Sequence, residues 1–490
     1  MGPAACQGPA RLASVPDAVI GLEIHLAVRT RSKMFCSCDA TGFGDAPNQH
    51  VCPVCMGLAG ALPVANREAI DRTLRFALAL DCTVPQRTQF HRKHYVYPDA
   101  PKNYQISQYD QPLGEHGALA LPGGRRIGIT RVHLEEDAGR LVHPPYADHS
   151  LLDLNRAGAP LMEMVTEPDL RTPEEARAFL AEVRAVARAV GASDASPEEG
   201  KMRADVNVSL RHPDGSFGTK VEVKNVNSFR SVEAALHHEI QRQTRLLEDG
   251  FEVVQETRGW NEGGQKTVPQ RSKEAAADYR YMPDPDLPAI DLPVAHVDAL
   301  RAAMPELPAA KRARYAALGL EPDAAAQFAA DVHASAVFDA TCAAFDGPPT
   351  TVANWLASEV AGRLRARETT LEAVAPDPAA FAARLADLLA LVHDRTISAT
   401  AGKEILDAVL DGADPARVVD ERGLARVADE GALRALVETV MAEHPDVVAS
   451  AKVEPKAVNA LLGRVMKASG GAADAQVVRR LLEAALADDA

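Results

Sequence analysis

Residues 19–28 read VIGLEIHLAV. Apolar side chains recur at every second position, Ile20, Leu22, Ile24, Leu26 and Val28, while Glu23 and His25 stand between them. A period of two marks a β-strand with one face in a core. The other face of this strand carries a carboxylate and an imidazole two residues apart, which can act together.

The same alternation recurs further along. In 202–211 (MRADVNVSLR), Arg203, Asp205, Asn207, Ser209 and Arg211 oppose Met202, Ala204, Val206, Val208 and Leu210. In 220–224, Lys220, Glu222 and Lys224 oppose Val221 and Val223. Shorter strands are predicted at 127–134, followed by Glu135 and Glu136, and at 161–165, which contains Glu163. A helix is signalled by Thr172 as cap, Pro173 in the first turn, Glu174 and Glu175 suiting its dipole, and Gly191 at its end. A second helix is predicted over 231–250. The expected fold class is α+β: helices cover one sheet face and the other face carries charges.

With 490 residues, 47% apolar and 25% charged, the chain is too long for one ordinary core and too apolar for disorder. No apolar run reaches the roughly 18 residues of a membrane span. Residues 1–16 hold one Arg and no apolar stretch, unlike a secretory signal. A net charge of −15 means that any RNA contact needs a local basic patch. Twelve of the fifteen histidines and six of the seven cysteines precede residue 300, so the polar chemistry belongs to the first part. The Pro-rich stretch 282–293 (MPDPDLPAIDLP) is the expected boundary. Beyond it lie Ala-rich helical patterns at 324–344, 352–365, 378–392, 401–410, 455–469 and 476–486, with a loop at 470–475.

Cys36-Ser-Cys38 and Cys52-Pro-Val-Cys55 can supply four thiolates to one tetrahedral ion. Zinc, thiophilic and redox-inert, suits them best. Such clustering points to a structural metal site in a reducing, cytoplasmic compartment. The acidic residues on polar strand faces, Glu23, Glu135, Glu136, Glu163, Asp205 and Glu222, with His25 among them, form a second set that could bind magnesium. Charges turned to water are the plainer reading of the same alternation. No P-loop, no G-x-G-x-x-G after a strand and no G-x-S-x-G elbow occurs. ATP, if used, must be held by metal and arginines.

Taken in order, the motifs VIGLEIHLAV (19–28), SKMFC (32–36), VCPVCMGLAGALPVAN (51–66), RKHYVYPDAPKNYQISQYDQPL (92–113) and RIGITRVHLEEDAGRL (126–141) resemble the B subunits of the bacterial glutamyl-/aspartyl-tRNA amidotransferases. So do LNRAGAPLMEMVTEPDLR (154–171), EEGKMRADVNVSLR (198–211), VEVKNVNSFRSVE (221–233), QETRGW (255–260), RSKEAAADYRYMPDPDLP (271–288) and GRVMKASGG (463–471). The resemblance implies a glutamine synthetase/guanido kinase-like catalytic cradle over 1–292, a helical domain over 293–405 and a helical tail over 406–490 that contacts tRNA. It implies a heterotrimer in which the other two members are the family's A and C subunits, a glutaminase and a small protein. It further implies ATP- and Mg²⁺-dependent conversion of misacylated Glu-tRNA(Gln) and/or Asp-tRNA(Asn) through an acyl phosphate. The family's metal residues fall on Glu23, His25, Glu136, Glu163, Asp205 and Glu222, with Glu135 beside Glu136; its zinc cysteines fall on Cys36, Cys38, Cys52 and Cys55. Gln270 and Met282 depart from the family's Met and Phe as packing changes, and in the tail Gly470, Ala475 and Arg464 replace Lys, Pro and Gln. Arg464 and Lys467 remain as candidate tRNA contacts. A stand-alone carboxylate–amine ligase and a zinc-stabilised, non-catalytic tRNA-binding scaffold are the competing readings.

Overall fold

The expected strand at 19–28 forms over Ala18–Ala27 and takes the centre of an eight-stranded sheet. The structure, a computed structural model, describes residues 17–42, 44–212, 214–272, 279–425, 430–453, 457–469 and 473–488. The chain divides into two units, Met1–Ala310 and Lys311–Ala490.

In the first unit the sheet strands are β1 (Ala18–Ala27), β2 (Gly114–Ala120), β3 (Arg126–Glu136), β4 (Pro160–Thr166), β5 (Met202–Leu210), β6 (Val221–Val226), β7 (Glu256–Asn261) and β8 (Lys266–Ser272). Their spatial order is β8-β7-β6-β5-β1-β4-β3-β2. All neighbours run antiparallel except β6 and β7, which are parallel. Sequence reading found β1, β3, β4, β5 and β6. It missed β2, β7 and β8, whose Gly, Thr and Lys content blurs the two-residue period.

Three helices, α1 (Arg67–Ala79), α2 (Pro173–Ala189) and α3 (Phe229–Glu248), share one core with the apolar sheet face. Thr172 caps α2 as expected, accepting a hydrogen bond from Glu175 N, and Gly191 follows the helix at φ +68°. Ile20, Leu22, Ile24 and Leu26 of β1 are at most 1% exposed and pack in one cluster with Phe179, Leu180 and Val183 of α2 and Leu236 of α3. Each such buried side chain stabilises the fold by about 1.5–3 kcal/mol. Residues 23 and 25 alternate to the opposite face, away from the core that these helices share, and so place their polar groups on the other side of the sheet.

A small sheet of Met282–Pro283, His91–His94 and Tyr104–Ser107 lies against β3. Within the Pro-rich stretch, Met282–Pro283 pairs with His91–His94 and Ile290–Asp291 pairs with Arg87–Thr88. Prolines are tolerated because these are two-residue edge pairs. The helix Val294–Ala302 then places Val297 and Leu300 in the first unit's core.

The described residues of the second unit are helical, with two separate apolar clusters, one from Tyr315 to Val419 and one from Leu433 to Leu486. The pattern at 324–344 is broken at Asp331, which adopts φ −111° and ψ 115° and caps the next helix by accepting from His333 N and Ala334 N. A side chain that competes for backbone donors makes that break. A π-helical turn, Trp355–Val360, interrupts the pattern at 352–365. Of the expected tail features, Arg464 and Lys467 lie on the helix Val458–Ala468, Arg464 half-buried and Lys467 exposed, while residues 470–472 of the loop fall outside the described residues. No helix among the described residues is long and apolar enough to cross a membrane.

Candidate active site

The antiparallel register assembles the polar face. Glu23 stands opposite Asp205 on β5, and His25 stands opposite Glu163 on β4. Glu163 in turn stands opposite His133 on β3, and Asn207 opposite Glu222 on β6. Residues directly opposite in an antiparallel pair share a face, with Cβ atoms about 4.5–5.5 Å apart. A row of titratable groups therefore crosses the sheet from β6 to β3.

His25 is its hub. Its Nε2 lies 3.3 Å from Glu163 Oε2, 3.7 Å from Glu135 Oε1 and 3.9 Å from Glu23 Oε1. Nε2 of His133 lies 3.6 Å from the same Glu163 oxygen. Burial works against a charge on His25, but its hydrogen bond to Glu163 and the carboxylates of Glu135 and Glu23 outweigh it and raise its pKa to about 9. Burial, then the charge of Glu163, push Glu135 up to about 7. Glu23 is raised by burial and by Glu163. Burial also opposes ionisation of Glu163, yet His133, His25 and Lys93 hold its carboxyl well below the usual range. His133 is itself driven down to about 4 by burial, so near neutral pH the charges facing Glu163 come from His25, Lys93 and Arg131, whose guanidinium lies 3.9 Å from Glu163 Oε1.

Asp205 and Glu222 form the neighbouring part. Lys224 bridges them, its Nζ 2.5 Å from Asp205 Oδ2 and 3.2 Å from Glu222 Oε1, and Thr257 Oγ1 donates to Glu222 Oε2 at 2.9 Å. Glu136 points away. As the next residue after Glu135 on β3 it alternates to the other side, where Lys102 Nζ and Ile106 N donate to its carboxylate at 2.5 and 2.9 Å. The structure thus brings Glu23, His25, Glu135 and Glu163 together, sets Asp205 and Glu222 beside them, and separates Glu136.

Sequence reading missed His133, although Arg131, His133 and Glu135 continue one period of two. It also missed Lys93, on a four-residue strand too short to show a period. Burial opposes the charge on Lys93, but Glu135, Tyr281 and Glu163 hold it firmly protonated.

Glu23, His25 and Glu163 offer ligand atoms within 4.8 Å of one another, as do His133, Glu135 and Glu163. The donor set fits a hard divalent cation: carboxylate oxygens crowd together, burial and then the charge of Glu163 raise Glu135, and His133 turns its Nε2 toward Glu135 and Glu163.

The four cysteines also converge. Sγ atoms of Cys36, Cys38, Cys52 and Cys55 all lie within 4.8 Å of one another, with Cys52 and Cys55 3.9 Å apart. Four sulfurs at about 2.3 Å from a tetrahedral ion would stand roughly 3.8 Å apart, so the site fits a metal. A hydrogen bond from Cys36 holds the Cys55 thiol down to about 4 against its burial, while Cys36 is pushed up.

Two family models match the chain: the GatB/GatE catalytic domain over residues 18–298 and the GatB domain over 336–486. Similarity to curated proteins runs nearly end to end. The B subunit of the aspartyl/glutamyl-tRNA(Asn/Gln) amidotransferase of Thermus thermophilus is 51% identical, covering 96% of this chain and 99% of the relative. That of Deinococcus radiodurans is 50% identical over the same shares. The chloroplastic/mitochondrial B-1 subunit of a glutamyl-tRNA(Gln) amidotransferase of Micromonas pusilla is 44% identical, covering 96% of this chain and 90% of its own. The chain belongs to the GatB family, that of the B subunits of the tRNA-dependent amidotransferases.

Proposed function

We propose that this chain activates the side-chain carboxylate of misacylated Glu-tRNA(Gln) and/or Asp-tRNA(Asn) for amide formation. The observation that carries this reading is the row of carboxylates and imidazoles on the polar face of the sheet, in a chain about half identical to amidotransferase B subunits. A carboxylate is a poor acyl donor. Transfer of the terminal phosphoryl group of ATP to its oxygen, releasing ADP, makes an acyl phosphate. Ammonia then attacks the acyl carbon, phosphate leaves, and Gln-tRNA or Asn-tRNA results.

Glu23, His25, Glu163, Asp205 and Glu222, with Glu135 in place of the turned-away Glu136, would hold Mg²⁺ in this reading. Bound Mg²⁺ supplies counter-charge to the transferring phosphoryl group. Glu163 keeps the His25 imidazole oriented, and Lys224 spaces Asp205 from Glu222. Lys102 pairs with Glu136 behind the strand. The cradle of the glutamine synthetase/guanido kinase kind over 1–292 belongs to the same proposal. So do a helical domain over 293–405, a tRNA-contacting tail over 406–490 that uses Arg464 and Lys467, zinc on Cys36, Cys38, Cys52 and Cys55, a heterotrimer with the family's A and C subunits, and a cytoplasmic location.

ATP hydrolysis by the assembled complex, measured with and without misacylated tRNA, tests the reading. Hydrolysis that requires Glu-tRNA(Gln) or Asp-tRNA(Asn) is expected. Hydrolysis driven by a free amino acid would favour a stand-alone ligase, and none at all a scaffold.

A further inference from the structure

Lys33 has no solvent exposure, although it reads as an ordinary lysine between Ser32 and Met34. Its Nζ donates to the backbone oxygens of His50 at 2.7 Å and Leu154 at 3.2 Å, and lies 3.8 Å from Cys55 Sγ. Among the described residues no carboxylate stands within ion-pair distance of it. An ammonium has three N–H donors. Two are spent on neutral carbonyls and the third is left for the sulfur. A buried charge without a counter-ion is strongly unfavourable, and carbonyl oxygens satisfy hydrogen bonds but not charge. Four thiolates around a divalent cation carry a net charge of about −2, and Cys55, the one buried member of a set whose other three cysteines are half-buried, is where that charge is least able to reach water.

We infer that Lys33 is the built-in counter-cation of the four-cysteine centre, a positioning residue that acts through Cys55 and halves the net charge of the loaded site. This rests on the reading that the four cysteines hold a metal. It also explains why a lysine, and not a neutral side chain, fills a position where only two carbonyls need donors. Lys33 N donates to Cys38 O at 2.9 Å, so one residue engages both halves of the cysteine set.

The test uses the full chain loaded with zinc and compares Lys33→Met, Lys33→Gln and Lys33→Arg. Gln can still donate to the carbonyls but carries no charge; Arg keeps the charge. Zinc affinity is read by competition with a colorimetric chelator. Met and Gln are expected to weaken zinc binding by about 10- to 100-fold, with Arg close to wild type. A second readout is the urea midpoint of Lys33→Met with the cysteines intact and with Cys52 and Cys55 both changed to Ser. The substitution should lower the midpoint in the first background and leave or raise it in the second, where the ammonium has lost its anion. Wild-type zinc affinity in Lys33→Gln, or equal destabilisation in both backgrounds, would show that Lys33 merely caps two carbonyls and would overturn the inference. A wild type that takes up no zinc would instead overturn the metal reading beneath it, which the zinc content of the unmodified chain reveals separately.

Discussion

His25 and Glu163 are direct register partners on β1 and β4, and the imidazole Nε2 stands 3.3 Å from the carboxylate. The pair sets a buried acid against an imidazole that it helps to hold protonated through neutral pH. Glu163→Gln keeps the shape and removes the charge. It is expected to lower tRNA-dependent ATP hydrolysis at least a hundredfold while tRNA binding persists. A loss below tenfold would remove Glu163 from the activation machinery.

Glu222 is tied to Thr257 and Lys224 on the other flank. Glu222→Ala, assayed in the assembled complex, should abolish acyl-phosphate formation, at a cost of several kcal/mol in the activation step, and leave the complex's basal glutaminase activity intact. Free ammonia should not rescue it, since nitrogen supply is not the defect. Restoration of wild-type transamidation by ammonia would show that Glu222 has no part in activation.

Proton linkage gives the site a pH signature in magnesium-free buffer. The raised pKa of His25, about 9, contributes stability that is fully present below the unfolded value near 6.5 and is lost as pH rises through 9. Glu135, raised to about 7, also favours its protonated form and loses stability between its unfolded value near 4.5 and pH 7. The stability of the metal-free site should therefore fall from pH 6.5 to 9, by on the order of 2 kcal/mol, and Mg²⁺ should flatten the fall by displacing the proton. Urea unfolding across that window checks the sign; a rise with pH would refute the cluster's charge assignment.

Cys52→Ser should release the metal, since one of four converging sulfurs is lost. About one zinc per wild-type chain and a lower unfolding temperature for the variant are expected. Full stability of the wild type after metal removal would count against a structural role.

The tail can be removed cleanly only where the cores part. Val418 and Val419 belong to the second unit's first cluster and Leu433 to its second, so a chain ending near residue 424 keeps the former intact. That truncation should weaken tRNA binding and reduce its salt dependence, with activation preserved at saturating substrate. Unchanged tRNA affinity would separate the tail from tRNA recognition.

The face on which each charged residue lies could be read directly from the chain. A period of two in 19–28 places Glu23 and His25 away from the apolar face whatever the neighbours are, and local capping chemistry at Thr172 places α2 within a residue or two. Which groups touch could not be read. Strand periodicity is blind to partner and register, and only the insertion of β1 between β4 and β5 makes His25 a neighbour of Glu163 and Glu23 a neighbour of Asp205. The choice between Glu135 and Glu136 turned on the same point. Arg131, His133 and Glu135 share one period of two, but only the pairing of Glu135 with Leu161 and of Glu136 with Pro160 shows that the strand runs far enough to keep Glu135 on that face. Lys33 shows the limit most clearly. A lysine in a polar loop is solvated by every local rule, and only the folding of residues 50–55 and 154 around it takes its charge out of water and sets it against a sulfur.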